Sequence, residues 1–413
     1  MYQERSRMLV PPRAHRMKEN LGLLGPAFVT AIAYVDPGNF ATNLSAGANY
    51  GYLLVWVVVL SNMMAMLIQY LSAKAGIATG MSLPALCRQE FSRRTARGLW
   101  AQAELVAIAT DLAEVVGGAI ALNLLFGIPL VMGGVITAVV AFAMLGLRSR
   151  GHRPFEAAIT GMLGVILVGF IYTVLLGDPA PGDVVSGLVP RFDGEDSVLL
   201  AAGMLGATVM PHAIYLHSGL TTDRYGTLTD PQRKRLLRSQ RVDVMVAMTL
   251  AGAMNLVLLV IAASLLSGTG IDTIESAHAA LGRLQGESTA LLFALALLAS
   301  GFAASSVGTL AGQVVMEGFL RRRIPLVVRR LSSLAPALLI LALGVDPTQA
   351  LVISQVVLSF GIPFALIPLI MFTRRADLMG SLVNERRTTV VACAAAAVII
   401  VLNVLLVWLT VAG

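Results

Sequence analysis

The sequence predicts an all-α polytopic membrane protein with eleven transmembrane helices, the first and sixth of them broken near mid-depth. Three observations carry this. Of 413 residues, 57% are hydrophobic and only 13% charged, whereas roughly a quarter of residues are charged in soluble domains. Apolar stretches long enough to cross ~30 Å of hydrocarbon recur along the whole chain. Two of them are interrupted by a proline, one beside residues that lipid does not tolerate without a reason.

The spans expected from hydropathy are 22–46, 51–73, 99–126, 130–147, 156–177, 197–220, 242–267, 288–318, 327–345, 348–373 and 388–411. Ahead of the first lies a tail, 1–21, with Arg5, Arg7, Arg13, Arg16 and Lys18 but no short apolar core and cleavage site, so the first span is expected to be retained.

The first span holds Asp36-Pro37-Gly38-Asn39. Proline disfavours the α conformation in the residue before it, so Asp36 should sit at an unwound point. It lies about 16 Å along a helix from Gly25, near the middle of the hydrocarbon layer. A carboxylate, an amide and freed carbonyls meeting there outline a cation site.

The third span carries Glu104, Asp111 and Glu114 on one helix face. They read either as static partners of Arg329 and Arg330 at the start of span nine, or as a proton path leading from the midplane. The sixth span repeats the anomaly of the first: Met210 stands before Pro211 as Asp36 stands before Pro37. Five spans separate the breaks, so the two segments run in opposite directions, the signature of a 5+5 inverted repeat. The expected divisions are 22–177 for the first repeat, 178–373 for an outward loop and the second repeat, and 374–413 for a cytoplasmic loop and one extra helix. Asp36, Asn39, Met210 and the carbonyls near Ala33 and Ala207 would then converge. His212 could handle protons or be structural, while His217, about 140° around the helix from it, cannot share one ion with it and reads as structural. Among the amides in the spans, Asn62, Gln69, Asn255, Gln313 and Gln355, interhelical bonding is the default, with Gln355 the one to test as a ligand or occluding residue.

Charge sets the expected topology. Of the 30 Lys and Arg residues only Arg191 and Arg283 fall in loops that would face outward, while acidic residues such as Asp193, Glu195 and Asp346 gather there. This places the N-terminus inside and the C-terminus outside. The net charge of +7 is spread over loops, which argues for topology and against nucleic acid. Cys87 and Cys393 lie in a basic loop and in the last span, so neither a disulfide framework nor a cysteine metal site is expected.

Carboxylate, amide and carbonyl oxygens suit hard cations, and a thioether is a soft ligand. Together they point to a borderline ion such as Mn²⁺ or Fe²⁺, with Cd²⁺ accepted as a soft mimic.

Asp36-Pro37-Gly38-Asn39 with Met210-Pro211-His212, the Asp111 and Glu114 pair and Ile214-Tyr215-Leu216-His217-Ser218 resembles the NRAMP family of proton-coupled divalent metal transporters, in particular its bacterial manganese transporters. The resemblance covers nearly the whole chain. It implies a LeuT-like fold with alternating access, and metal ligands from the side chains of Asp36, Asn39 and Met210 and the carbonyls of Ala33 and Ala207, with Gln355 joining in an occluded state. It also implies a proton-linked network of Asp36, Glu104, Asp111, Glu114, His212 and Arg330. Ala213 departs from the Asn common in relatives, and Met210 argues against the magnesium-carrying subgroup.

The expectation is therefore a proton-coupled importer of Mn²⁺, also of Fe²⁺ and Cd²⁺, in the cytoplasmic membrane, with no resident cofactor and no enzymatic activity. Neither a P-loop, HExxH nor GxSxG occurs in a suitable setting. The alternative is a sodium-coupled symporter of a small organic solute on the same fold, against which Asp36 counts because its charge would oppose a carboxylate substrate.

Overall fold

The computed structural model describes residues 25–149, 151–176, 181–225, 228–271, 273–321 and 326–412, and among these every regular element is helical. The first span is α1 (Pro26–Ala31), a 3₁₀ turn (Ile32–Val35) and α2 (Pro37–Tyr50). Pro26 and Pro37 each open a helix, where a missing N–H leaves no bond unmade. Between the two helices Asp36 is extended, with φ −80° and ψ 169°, as its place before a proline dictates.

There follow α3 (Val55–Thr79), α4 (Leu83–Glu90), α5 (Arg93–Phe126), α6 (Leu130–Ser149), α7 (His152–Leu176) and α8 (Pro181–Ser186). The sixth span is α9 (Gly194–Thr208) and α10 (Pro211–Tyr225), with Val209 and Met210 outside either helix. The chain continues through α11 (Asp230–Leu266), α12 (Ile274–Gln285), α13 (Glu287–Leu320), α14 (Leu326–Ala342), α15 (Pro347–Thr373), α16 (Ala376–Met379) and α17 (Arg386–Ala412).

Each of the eleven expected spans coincides with helix. Counting the broken sixth segment as one, nine helical segments among the described residues are long and apolar enough to cross a membrane. The other two are the broken first span and α14, whose described apolar part is the shorter Ser333–Ala342. Boundaries differ where a helix continues past its apolar part. α5 begins at Arg93, not 99, because Ser92 caps it by accepting from the Thr95 N–H at 3.2 Å. α11 begins at Asp230, not 242, where Thr229 and Gln232 form a capping box. Hydropathy cannot see these polar turns, but capping can.

The two broken spans lie at the centre of the molecule. α9 packs against α2 and α10 against α1, so the breaks face each other half against half. α11 supports α2 and α3, while α13 lies along α5 and α7. The α5–α13 crossing is close because it is made by glycines: a Cβ on Gly301 would sit 2.8 Å from the Gly118 backbone. Gly117, one residue earlier on α5, leaves room for the Pro37 ring at the break. α15 packs against α9 and α5, and α17 lies outside it.

Candidate metal site

Asp36, Asn39, Met210 and Gln355 are all at most 1% exposed. Asp36 Oδ1 accepts from the Asn39 backbone N–H at 2.9 Å and from Asn39 Nδ2 at 2.6 Å, and Oδ2 is buried without a hydrogen-bond partner. The same Asn39 Nδ2 donates to the Ala207 carbonyl at 2.8 Å. Thr208 Oγ1 donates to Asn39 Oδ1 over a longer 3.5 Å. One amide therefore joins the break in the first span to the break in the sixth, 168 residues away. Ala33 lies in the buried 3₁₀ turn, and Met210 is the residue just before α10.

Gln355 enters between the two breaks from α15. A Cβ on Gly38 would run into the Gln355 side-chain amide, and one on Gly206 would run into its backbone carbonyl. Both glycines are thus needed for α15 to approach α2 and α9 so closely. Gln355 Nε2 donates to Ser354 Oγ at 3.2 Å, and its Oε1 is buried without a partner. Two orphaned acceptor oxygens, Asp36 Oδ2 and Gln355 Oε1, on elements that meet at the break are a reason to expect a cation there, since buried acceptors otherwise go with donors.

Other residues shape the first break, and the sequence did not single them out for this. Asn255 on α11 donates to the Tyr34 carbonyl at 2.7 Å and accepts from Asn43 at 3.1 Å. Ser300 on α13 donates to the Val35 carbonyl at 2.6 Å. Carbonyls released by unwinding are in this way held by side chains from two further helices.

His212 is buried at the start of α10, and its Nδ1 lies 3.1 Å from Thr110 Oγ1 on α5. The Thr110 hydroxyl donates to the Val106 carbonyl at 3.0 Å, so it accepts from Nδ1–H and leaves Nε2 as a lone pair without a partner. Asp111 is near enough to act electrostatically on this imidazole. Asp111 and Glu114 are buried on α5 and Glu104 is half-buried. The Glu114 carboxylate lies over Gly308 of α13, and all three acids are engaged with neighbours. Backbone at Arg329 and Arg330 belongs to α14, but their side chains, and hence the expected role of Arg330, lie outside the described residues.

His217 has both ring nitrogens in hydrogen bonds, to Gln69 at 2.8 Å and Gln240 at 3.4 Å. Gln69 donates onward to the Tyr34 hydroxyl at 2.5 Å, and Gln240 to Asp243 at 3.5 Å. Asp243 Oδ2 accepts from the N–H groups of Gly25 and Ala27, each at 3.1 Å, capping α1 from α11. An Arg224–Glu156 ion pair sits beside Gly25. Among the described residues no group of three or more His, Cys, Asp or Glu could hold a metal.

A model of the natural resistance-associated macrophage protein-like (Nramp) family matches residues 27–409. A divalent metal cation transporter, MntH, of Bacillus subtilis is 54% identical over 390 residues, covering 94% of this chain and 92% of that protein. The solved structure of a manganese transporter from Eremococcus coleocola superposes with a TM-score of 0.85 at 32% identity, over 96% of this chain and 88% of the other. Mhp1, a nucleobase-cation-symport-1 family transporter, superposes with a TM-score of 0.62 at 17% identity, over 94% and 90% of the two chains. That last likeness is one of fold alone.

Proposed function

Because the chain belongs to the Nramp family and has its LeuT-like fold, we propose that it imports Mn²⁺, and with it Fe²⁺ and Cd²⁺, across the cytoplasmic membrane in exchange with no nucleotide and together with protons. Transport of divalent metal cations is the coarser function its relatives carry in their names. The observation that carries the finer reading is the single amide of Asn39 joining Asp36 to the Ala207 carbonyl, with Gln355 wedged against both breaks.

Asp36 supplies charge, Asn39 and the carbonyls of Ala33 and Ala207 supply hard oxygens, and Met210 supplies the soft contact that favours Mn²⁺ over Ca²⁺. Gln355 closes the site from the α15 side through its free Oε1. When the ion arrives, Asn39 turns its amide so that Oδ1 replaces Nδ2 toward the cation, and Asp36 yields any proton it holds. His212, with a free Nε2, accepts that proton and passes it along Asp111, Glu114 and Glu104 on α5, with Arg330 the fixed positive charge of the network. The two broken helices then rock together against the surrounding scaffold, which changes the face to which the ion is exposed.

In this reading 22–177 and 178–373 are the two inverted repeats, 374–413 adds a loop and a last helix, and the 1–21 tail is cytoplasmic. The C-terminus lies outside. A sodium-coupled carrier of organic solutes, the alternative, shares only the fold with this chain.

The test is Mn²⁺ uptake into proteoliposomes with an inward proton gradient on or off. Saturable uptake that rises with the gradient and is lost in Asp36→Ala is the expected result. A folded wild-type protein that takes up no Mn²⁺ would overturn the reading.

A further inference from the structure

A groove of about 480 Å³ opens between α3, α11 and the start of α17, at the end of the molecule that carries the basic loops. We propose that it binds one anionic phospholipid, with the phosphate between Lys74 and Arg241 and an acyl chain running toward mid-membrane.

Lys74 is the first reason. Its residue is only 6% exposed, yet among the described residues no carboxylate lies within ion-pair distance of its ammonium, Glu385 acting on it only from farther off. It donates only to neutral acceptors, Asn384 Oδ1 at 2.8 Å and the Val383 carbonyl at 3.5 Å, and stands 5.9 Å over the Tyr70 ring. Lysine is almost never this buried without an anion, and its third N–H has no acceptor of its own. Arg241, exposed on the facing helix, donates to no protein acceptor among the described residues although it lines the same groove. Glu385 at the rim is the one acid there, so two cations face one anion and the groove is positive by one charge.

Depth is the second reason. Lys74 is one turn and a half from the end of α3, at the level where a spanning helix meets the headgroups. Met63 lines the same groove about 16 Å deeper along that helix, close to half the hydrocarbon thickness. Between these levels the lining is Met66, Leu67 and Tyr70 and, from α11, Val244 and Met245. Thioether side chains adapt their shape to an irregular chain. A free phosphate would satisfy the cations but leave this apolar length unused. Basic pockets between membrane helices are known to take anionic headgroups.

Native mass spectrometry of the purified, detergent-held protein with phosphatidylglycerol or phosphatidylcholine of equal chains tests this. Wild type should retain phosphatidylglycerol in preference. Since Lys74 also bonds Asn384, the informative variants are Arg241→Gln, at an exposed position, and Met245→Trp, which fills the tail groove. Arg241→Gln should cut the preference about fivefold, the effect of one surface cation, and Met245→Trp should lower retention of the lipid while glycerol phosphate fails to compete with it. An unchanged preference in Arg241→Gln, unchanged retention in Met245→Trp, or displacement of the lipid by an equal concentration of glycerol phosphate would overturn the proposal.

Discussion

Single residues decide which ion the proposed site prefers. Met210 is fully buried at the break and is the one soft donor expected there. Met210→Ala should leave Mn²⁺ uptake measurable while Ca²⁺ competes about tenfold better, the scale on which metal-site substitutions act. Unchanged competition by Ca²⁺ would remove the thioether from the selectivity argument. Gly38→Ala tests Gln355 without touching it. The new Cβ meets the Gln355 amide, and overpacking of this kind costs about 1–3 kcal/mol. Expected is a folded protein with weakened Mn²⁺ binding by calorimetry, and Gly38→Ala with Gln355→Ala should regain part of the loss. Asp36, Asn39 and Met210 were legible in the sequence because a proline marks each break, although Pro336, Pro363 and Pro368 lie inside continuous helices. Thr110, Ser300 and Asp243 were not legible. Each is one polar residue whose partner lies 102, 265 or 216 residues away, and nothing local marks it.

At the scale of elements, α1 is a six-residue helix held at its N-terminal end by a neighbour's carboxylate. Too short to be stable alone, it depends on such contacts. Asp243→Ala should expose it, at a cost of about 1.5–3 kcal/mol for each bond to a charged acceptor. Hydrogen exchange should accelerate over residues 25–35 while α13 stays protected, and equal protection in both proteins would show that the cap does not hold α1. The His212 link between α10 and α5 makes a second prediction. Thr110→Val removes the acceptor of Nδ1–H with little change in volume. Proton uptake driven by Mn²⁺ should slow, with Mn²⁺ binding retained, if the link orients His212 for transfer. Proton flux equal to wild type would sink that role. The spanning helices were legible from hydropathy, but α4, α8, α12 and α16 fall in stretches read as loops, and Cys87, expected in a basic loop, is buried in α4. The ends of the spanning helices were not legible, since α5 and α11 run on as polar, capped turns beyond the apolar stretch.

The whole molecule has a charge gradient from one end to the other, with basic loops gathered at the ends of α3, α10 and α13. The proposed orientation can be checked by labelling. Cys87 is buried and Cys393 sits on α17, so with Cys393→Ser the background to a membrane-impermeant maleimide should be low. A cysteine at Asp193 should react in intact cells and one at Asp377 only after the membrane is opened, and the reverse order would invert the topology. The pattern of repeats was legible because two prolines recur at an odd spacing of spans, whereas the way the halves meet depends on Gly38, Gly206 and Gln355, which only a structure brings together. That meeting also bears on the journey of the carrier without cargo. Asn39 gives its two amide hydrogens to Asp36 and Ala207, the oxygens proposed to receive the ion, so an ion arriving there competes with an amide for the same acceptors. Under the proposed function, loading exchanges one occupant for another, and this tie between the broken helices would let the return trip be made with no ion aboard.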